Sequence, residues 1–306
     1  MTKRKIFLIA ADVILLCVCI FQWVLGSRNN IKNFVLSEIP DEIIITNPEE
    51  TVSIVQSGDE WFVGELKYPA SKSVVDSLIS GLSSIKALDK VGDASKESAL
   101  VKYDLEAEKR ICVEAKKNGT VIRTLYLGKE AAAGSQCYAT IDQGKNIYIL
   151  SGNARLTFDK TIARIRSNGV IDLDKSLITS VTLAPVDGDS WTLSRTNNGT
   201  DFAYTISGAD VELDTQKAAD FIESFCALTT NNWYGEKTDL GGQKKVDVTI
   251  ICDGKTVTLE VYEIPGTEES QNLPLYYGNS SETPYTFNIG NYSAARYLSK
   301  PEEIAK

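Results

Sequence analysis

The apolar residues of this chain recur with a period of two in several short segments, and the same succession of segments occurs twice. The clearest are two alternating runs, residues 109–128 and 244–263, divided by an Asn-Gly pair at Asn118 and an Asp-Gly pair at Asp253. Such pairs favour the positive φ angles of a type I′ turn, so each run predicts a β-hairpin. The alternation is typical of a sheet that buries one face.

Other strands match between the two series. Short strands precede each hairpin, a closing strand follows it, and one strand of each series begins with a large aromatic residue. These strands are predicted at residues 43–45, 146–150, 181–183 and 284–289, with Trp61 and Phe202 as the aromatic residues.

One amphipathic helix is predicted in each series. Ser71 and Asp214 are suitable N-caps, because each side-chain oxygen can accept a free N–H of the first turn. The apolar residues that follow have the i, i+3, i+4, i+7 spacing of one helix face. The predicted stripes are Val75, Leu78, Ile79, Leu82 and Ile85, and Ala218, Phe221, Ile222, Phe225 and Leu228.

These patterns predict the α+β fold class, with an N-terminal transmembrane helix followed by two tandem repeats, each an antiparallel sheet with one main helix packed on it. The predicted boundaries are a cytoplasmic tip at 1–5, a transmembrane helix at 6–25, a linker at 26–36, a first repeat at 37–156, a connector at 157–174, a second repeat at 175–298 and a tail at 299–306.

The transmembrane prediction rests on the apolar run 6–25, which only Asp12 and Gln22 interrupt. About 20 apolar residues in a helix span the hydrocarbon core of a bilayer. Basic residues at positions 3–5 place the N-terminus in the cytoplasm and the bulk of the chain outside it. A cleaved signal peptide is the alternative, although its apolar region should be shorter and end at a site of small residues.

Asp12 is unusual, because a carboxyl group in a membrane helix is costly. It either protonates or reaches the near membrane surface, or it contacts a transmembrane helix of a partner. Both interpretations stay open, and Asp12 is the candidate intramembrane contact.

Composition narrows the functional classes. The chain has 306 residues, no histidine and a net charge of −9. Its acidity does not suit nucleic acid, so we expect no nucleic-acid partner. Without histidine, the Ser-His-Asp and Cys-His mechanisms and His-ligated zinc are unavailable. We expect no cofactor, no metal site and no catalysis.

Four cysteines follow the N-terminal run without a Cys-x-x-Cys pair, which argues against a metal or thioredoxin-like site. Disulfides are compatible with a location outside the cytoplasm, but buried free thiols are favoured. The four are Cys112, Cys137, Cys226 and Cys252.

The order of several motifs resembles a bacterial family known as domain of unknown function 4340. The motifs are an aromatic strand at 61–62, a Pro-Ala-Ser opening at 69–71, Tyr-Asp-Leu at 103–105 and a strand end at 125–128. The second series departs from them, because Glu212 replaces the proline and Leu240 lacks the preceding tyrosine. The resemblance implies a membrane-anchored protein with a duplicated region outside the cytoplasm, and no catalytic residues. It also implies an accessory role beside ABC exporters of the gliding-motility type.

Two aromatic stretches, residues 231–235 and 273–287, are the candidate binding region, since Tyr, Trp and Asn in loops make adaptable contacts. The favoured alternative is that these rings cover a sheet edge. The candidate partner or ligand surface consists of Trp233, Tyr234, Tyr276, Tyr277 and Tyr285.

Asp104 and Asp239 occupy matching places, each before a leucine. Each is interpreted as a turn followed by a core residue, and a carboxylate pair for glycoside hydrolysis is the alternative. Trp61 and Phe202 are interpreted as core or sheet-face aromatics, with a sugar platform as their alternative.

The leading functional hypothesis is a non-catalytic envelope protein at the bacterial cytoplasmic membrane, with the bulk of the chain periplasmic. It would act as a scaffold or accessory binding module for an ABC-type transport complex, in contact with permease or ATPase components. The second hypothesis is a binding module for envelope glycans or peptides, and the third is a hydrolase with paired carboxylates. The sequence leaves the oligomeric state open.

Overall fold

The computed structural model describes residues 14–20, 31–132, 134–197, 201–268 and 270–306. These residues divide into two compact units, the first ending at Ser167 and the second running from Asn168 to Lys306. Most of their regular structure is antiparallel β-sheet.

The first unit is built around one ten-stranded sheet. Its elements are β1 (Lys32–Val35), β2 (Glu42–Thr46), β3 (Thr51–Ser57), β4 (Glu60–Val63), β5 (Tyr68–Pro69), α1 (Lys72–Ser83), β6 (Ser84–Asp93), α2 (Glu97–Tyr103), β7 (Ile111–Lys117), β8 (Thr120–Glu130), β9 (Cys137–Ile141), β10 (Asn146–Leu150), α3 (Ala154–Phe158) and α4 (Ile162–Ile165). The strand order is β1-β6-β10-β9-β8-β7-β2-β3-β4-β5.

The second unit contains an eight-stranded sheet and a separate two-stranded one. Its elements are β11 (Gly169–Asp172), β12 (Ile178–Pro185), β13 (Trp191–Asn197), β14 (Phe202–Ser207), α5 (Thr215–Ser224), β15 (Ala227–Thr229), β16 (Trp233–Glu236), β17 (Gln243–Cys252), β18 (Lys255–Ile264), β19 (Leu275–Ser280), β20 (Thr283–Ile289) and α6 (Asn291–Tyr297), with 3₁₀ turns at Lys175–Leu177 and Pro301–Ile304. The large sheet has the order β14-β13-β12-β17-β18-β19-β20-β16, and β11 pairs with β15.

In each large sheet one long-range pairing joins two runs of strands that are consecutive in the chain, β7–β10 with β2–β5 in the first sheet and β12–β14 with β17–β20 in the second. Three further non-consecutive pairings add β1, β6 and β16 to these sheets. In the first sheet β2 pairs with β7, so that Ile45 opposes Val113. In the second sheet β12 pairs with β17, so that Leu183 opposes Val248. The strands on either side of each junction are connected mainly through hairpins, as antiparallel neighbours allow.

Both predicted hairpins are confirmed. β7 pairs with β8 and β17 pairs with β18 around the expected turns. Asn118 and Gly119 have φ angles of 50° and 76°, and Asp253 and Gly254 have 48° and 74°. Positive φ at both central residues is the type I′ geometry, whose twist matches that of the flanking strands.

The two predicted helices begin where expected, but only one has a side-chain cap. The Asp214 carboxylate accepts from the N–H groups of Gln216 and Lys217 at 2.9 and 3.0 Å. Ser71 precedes α1 without such a bond, and its hydroxyl faces that of Ser73 at 3.1 Å.

Both helices end before their apolar stripes do. Helix α1 buries Val75, Leu78 and Leu82, but the chain has already entered β6 at Ile85. Likewise, Leu228 lies in β15 and not in α5. Both of these residues are buried, so the spacing located core positions although it overestimated the helix length.

The predicted fold class is wrong. The described chain is mostly antiparallel sheet, and its helices are short pieces instead of one main helix covering each sheet. Helix α1 packs on α3, where Phe158 lies close to Gly81, and it meets the sheet chiefly at β6. Strands such as β6, β9 and β19 lack a clean alternation of apolar and polar residues or follow loops. The sequence pattern therefore did not predict them, and the sheets have more strands than expected.

Most of the predicted N-terminal segment lies outside the described residues. Residues 14–20 are helical with exposed side chains, whereas Asp12 and the rest of the 6–25 run are not described. Among the residues that the structure does describe, no helix combines the length and apolarity needed to cross a membrane.

Candidate functional site

The five aromatic residues of the candidate surface divide between the interior and the surface of the second unit. Trp233, Tyr277 and Tyr285 are buried, with 4%, 1% and 5% of their surface exposed. Tyr234 and Tyr276 are partly exposed. The five rings therefore do not form one accessible surface.

Trp233 packs in the core where β16 joins the large sheet. It opposes Phe287 in the pairing of β16 with β20. Its ring meets those of Phe287 and Tyr285 edge-on, with centroid distances of 5.9 and 6.1 Å. Such ring pairs contribute about 0.5–1.5 kcal/mol each beyond the area they bury, so they hold the edge strand β16 in place.

Tyr277 belongs to a separate group of side chains. It opposes Tyr262 in the pairing of β18 with β19, and the two rings stack with a centroid distance of 5.0 Å and an interplanar angle of 8°. The Tyr277 hydroxyl accepts from the Gly242 N–H at 3.0 Å and donates to Asp239 Oδ1 at 3.4 Å. A side chain at Gly242 would collide with the Tyr277 ring, so glycine allows the loop to close over it.

We define Asp239, Lys244, Glu260, Tyr262 and Tyr277 as the tyrosine–carboxylate cluster. Lys244 Nζ lies 2.8 Å from Glu260 Oε1, and the Tyr262 hydroxyl donates to Glu260 Oε2 at 3.2 Å. Glu260 opposes Asn279 in the sheet. The cluster thus places two stacked phenol rings beside two carboxylates on β-strands and one loop.

Hydrogen bonds and burial shift the pKa values of three groups in this cluster, Lys244, Glu260 and Tyr262. The bond from Lys244 is the largest cause that holds the pKa of Glu260 below its ordinary value, against the opposing effect of burial. Bonds to Asp247 and Glu260 raise the pKa of Lys244. Burial, followed by the charge of Glu260, raises the pKa of Tyr262. Each of these three shifts moves the pKa further from neutrality, so at neutral pH Lys244 and Glu260 are charged and Tyr262 keeps its proton.

Asp104 ends helix α2 in the left-handed conformation, with a φ angle of 54°. Leu105 is 1% exposed and packs in a small core with Tyr103 and Ile147. The interpretation as a turn followed by a core residue is confirmed here. In the second unit Leu240 is only partly buried.

Asp104 also lines a polar pocket of about 420 Å³ in the first unit. Lys109 Nζ lies 3.8 Å from Asp104 and 2.9 Å from Glu106, so a cation stands among these acids. Asp239, which the sequence pairs with Asp104, does not line this pocket and belongs to the second unit. The charged residues that line the pocket are Asp104, Glu108, Lys109, Lys129, Glu130 and Arg155.

Trp61 is partly exposed on β4, and Phe202 begins β14 with 36% of its surface exposed. The guanidinium of Arg195 lies 4.4 Å from the Phe202 ring centroid. Sequence reasoning missed Arg195, which is buried and donates to the carbonyl oxygens of Ile178 and Lys175. A signal was present, since the period of two puts Arg195 on the same face as the buried Trp191.

The four cysteines of the two units are free thiols. Burial raises the pKa of Cys112, Cys137 and Cys252. For Cys137, N–H groups of Ala154 and Arg155 oppose that effect without reversing it. A raised pKa suppresses the thiolate, which is the nucleophile and the metal ligand.

Comparison with known families decides the assignment that the motifs suggested. The model of the family described as "Domain of unknown function (DUF4340)" matches residues 61–246. The chain belongs to the DUF4340 family. No curated protein and no solved structure matches it.

The DUF4340 match runs from β4 to the first part of β17. It includes α1, Asp104 and Lys244 but ends before Glu260, Tyr262 and Tyr277. Most of the tyrosine–carboxylate cluster therefore lies outside the matched region, and family membership alone assigns it no role.

Proposed function

We propose that this DUF4340 protein is a non-catalytic binding module at the bacterial cytoplasmic membrane, held there by its apolar N-terminal run with its two sheet units in the periplasm. It acts as a scaffold or accessory subunit of an ABC-type transport complex, in contact with permease or ATPase components. The transport partner comes from the family resemblance, and the location comes from the charge asymmetry around residues 6–25.

The observation that supports the non-catalytic part is that both carboxylate oxygens of Glu260 already accept hydrogen bonds. One of its oxygens accepts from Lys244 and the other from the Tyr262 hydroxyl. A general acid or base needs a pKa near the working pH and an open path to its substrate. Glu260 instead has a lowered pKa and bonded oxygens, which suits recognition of a partner more than proton transfer.

The first test is recovery of partners from native membranes. The full chain with an affinity tag is crosslinked in its own cells, purified and analysed by mass spectrometry. Recovery of a permease or ATPase, lost when residues 6–25 are exchanged for an unrelated membrane segment, supports the proposal. Recovery of a soluble cytoplasmic complex instead would contradict both the location and the role.

A second candidate function, binding of envelope glycans or peptides, is favoured by Tyr262, whose partly exposed ring stacks on the buried Tyr277 beside the Glu260 carboxylate. A phenol ring beside a carboxylate offers stacking and hydrogen bonding together. A thermal shift with cell-wall fragments tests it. The useful variant is Tyr262→Ser, because Trp233→Ala would remove a core residue. The control is Tyr292→Ser, since Tyr292 is 94% exposed and lies outside both aromatic stretches. A shift that both variants retain would exclude the cluster as the site.

The third hypothesis, a hydrolase with paired carboxylates, has little support. Asp104 lies 3.8 Å from the Lys109 ammonium, and Asp239 accepts a hydrogen bond from the Tyr277 hydroxyl. Turnover of a polysaccharide or peptide by the purified chain, abolished by Asp104→Asn, would revive it.

A further inference from the structure

Strand β14 forms one end of the eight-stranded sheet. It pairs with β13 along its whole length, from Phe202 opposite Asn197 to Ser207 opposite Thr192. Its other edge pairs with no strand in the described part of the chain. An open edge presents unpaired backbone N–H and C=O groups, which are a template for one more strand.

The other ends of the two large sheets are protected in ways that proteins commonly use. Strand β5 has two residues, one of which is Pro69. Strand β16 is interrupted by a register shift and ends at Glu236. Strand β1 is short and begins with Lys32. These features disfavour the pairing of an edge strand with a strand of another chain.

Strand β14 has none of these protections. Its six residues, Phe-Ala-Tyr-Thr-Ile-Ser, include no charge and no proline, and its register with β13 is continuous. An uncharged edge strand of six residues with a continuous register is suited to pairing with one more strand.

A pocket of about 500 Å³ lies beside the C-terminal end of β14. It is lined by Gly208–Val211 after β14 and by the loop that precedes β13, with the buried Trp191 beneath. Asp187, Asp189 and Asp210 line it, and none of the three is in an ion pair within the described residues.

The remaining charges do not neutralise this pocket. Its lining also contains Lys245, Lys300 and Glu302, so acids outnumber bases by four to two. Lys245 is engaged by Glu263 at 3.6 Å. A cationic side chain that entered the pocket would find carboxylates without partners, and the attraction would fall with salt.

We propose that the edge of β14 binds an extended peptide of a partner protein, antiparallel to β14, with a lysine or arginine at its N-terminal end in the acidic pocket. The antiparallel direction follows from the rest of the sheet. In that direction the first peptide residue lies beside Ser207, next to the pocket, and later residues run towards Phe202. The site is separate from the tyrosine–carboxylate cluster and depends neither on membrane attachment nor on the transport partner.

If the peptide pairs with β14 through its backbone, blocking its N–H groups should weaken binding at alternate residues only. In an antiparallel pair only alternate residues of the added strand direct their N–H groups at the neighbouring strand. The probe is the peptide acetyl-Lys-Val-Thr-Val-Thr-Val with a fluorophore attached at its C-terminus, titrated with the full chain by fluorescence anisotropy. Two further probes carry N-methyl groups on its even or on its odd residues. One of the two is expected to lose binding by about tenfold or more and the other to retain it.

The charge part is tested on both molecules. Replacing the peptide lysine by glutamate is expected to weaken binding about tenfold. Asp187→Asn and Asp210→Asn are each expected to weaken binding of the lysine probe roughly two- to fivefold, as for single exposed ion pairs. The control is Asp253→Asn, an exposed acid in a hairpin turn of the same unit, which should change nothing.

Each other outcome overturns the proposal. No binding of the lysine probe up to about 1 mM would remove the site. Equal affinity for the lysine and glutamate probes would show that the acidic pocket does not bind the peptide's first side chain. Equal loss of binding with both N-methylated probes would show that the peptide does not pair with β14 as an added strand. Self-association of the chain that buries β14, seen by sedimentation and abolished by Thr205→Lys, would assign the edge to a second copy of this protein. The membrane crosslinking result is independent of all four.

Discussion

The guanidinium of Arg123 donates to the carbonyl oxygen of Leu82 at 2.9 Å, one residue before helix α1 ends. Arg123 is 3% exposed, and its Nε faces Asp142 at 3.2 Å. The last carbonyl groups of a helix have no partner within the helix and carry its negative end. A buried cation therefore satisfies them where water cannot reach. In the second unit Arg296 similarly donates to the carbonyl oxygen of Ser224, the last residue of α5.

Replacing Arg123 by methionine should destabilise the first unit by about 2–4 kcal/mol, because a buried carbonyl and Asp142 lose a charged partner. Urea unfolding followed by hydrogen exchange of residues 72–83 measures the effect. Arg164→Met is the control, since Arg164 is exposed in α4 of the same unit. Equal stability of the two variants would show that water caps α1 adequately.

Gly128→Ala should destabilise the first unit by about 3 kcal/mol or more, because a collision with a backbone atom cannot be avoided by rotating a side chain. A Cβ at Gly128 would overlap the carbonyl oxygen of Tyr103 and press on Leu105. Gly290→Ala, in the second unit, is the control for the substitution itself, because nothing lies within 4 Å of a Cβ there. Thermal unfolding of both variants compares them, and similar melting temperatures would mean that α2 can move away from β8.

The tyrosine–carboxylate cluster should make the second unit less stable in acid. The folded pKa of Glu260 is below its ordinary 4.5, so its contribution is complete above that pH. It is lost as the pH falls from 4.5 towards the lower folded pKa. Urea midpoints against pH should show this decline for the native chain and a flatter curve for Glu260→Gln. Parallel curves would mean that the ion pair with Lys244 contributes nothing to folding.

The buried thiols should resist alkylation. Burial raises the pKa of Cys137, which is fully buried, so little thiolate forms and the reagent has no access. Iodoacetamide at pH about 8, near the ordinary thiol pKa, should modify Cys137 at least about tenfold more slowly in the native chain than in urea. Cys226 is partly exposed and serves as the internal control. Peptide mass spectrometry measures the alkylation of both cysteines. Equal alkylation rates of Cys137 and Cys226 in the native chain would contradict the packing around β9.

The hairpins and the helix starts were predictable because local chemistry specifies them. Asn118-Gly119 and Asp253-Gly254 select one turn type, and Asp214 supplies its own cap. The helix ends were not predictable, because Ile85 continues an apolar helical spacing while its backbone already pairs in β6. Long-range pairing therefore overrode the local pattern, and the sheets grew at the expense of the helices.

The candidate site was less accessible to sequence reasoning than the fold. Aromatic loops mark binding surfaces and cores alike, and only packing distinguishes Trp233, in the core, from Tyr234, partly exposed. Arg123 and Arg195 were missed for a related reason. Arg123 lies two residues before Leu125 and Arg195 two residues after Leu193, on the same face as these apolar residues. A charged residue in a strand is normally interpreted as facing solvent.

The pairing of β2 with β7 has a consequence for how fast the first unit folds. Ile45 and Val113 are far apart in the chain, and the segment between them contains α1, β6 and α2. Closing a long loop loses conformational entropy before the contacts that compensate for it have formed, so such pairings slow folding. We expect the β7–β8 hairpin to form first and the β2–β7 junction to limit the rate. Pulse-labelling hydrogen exchange during refolding would detect this order as late protection of residues 42–46.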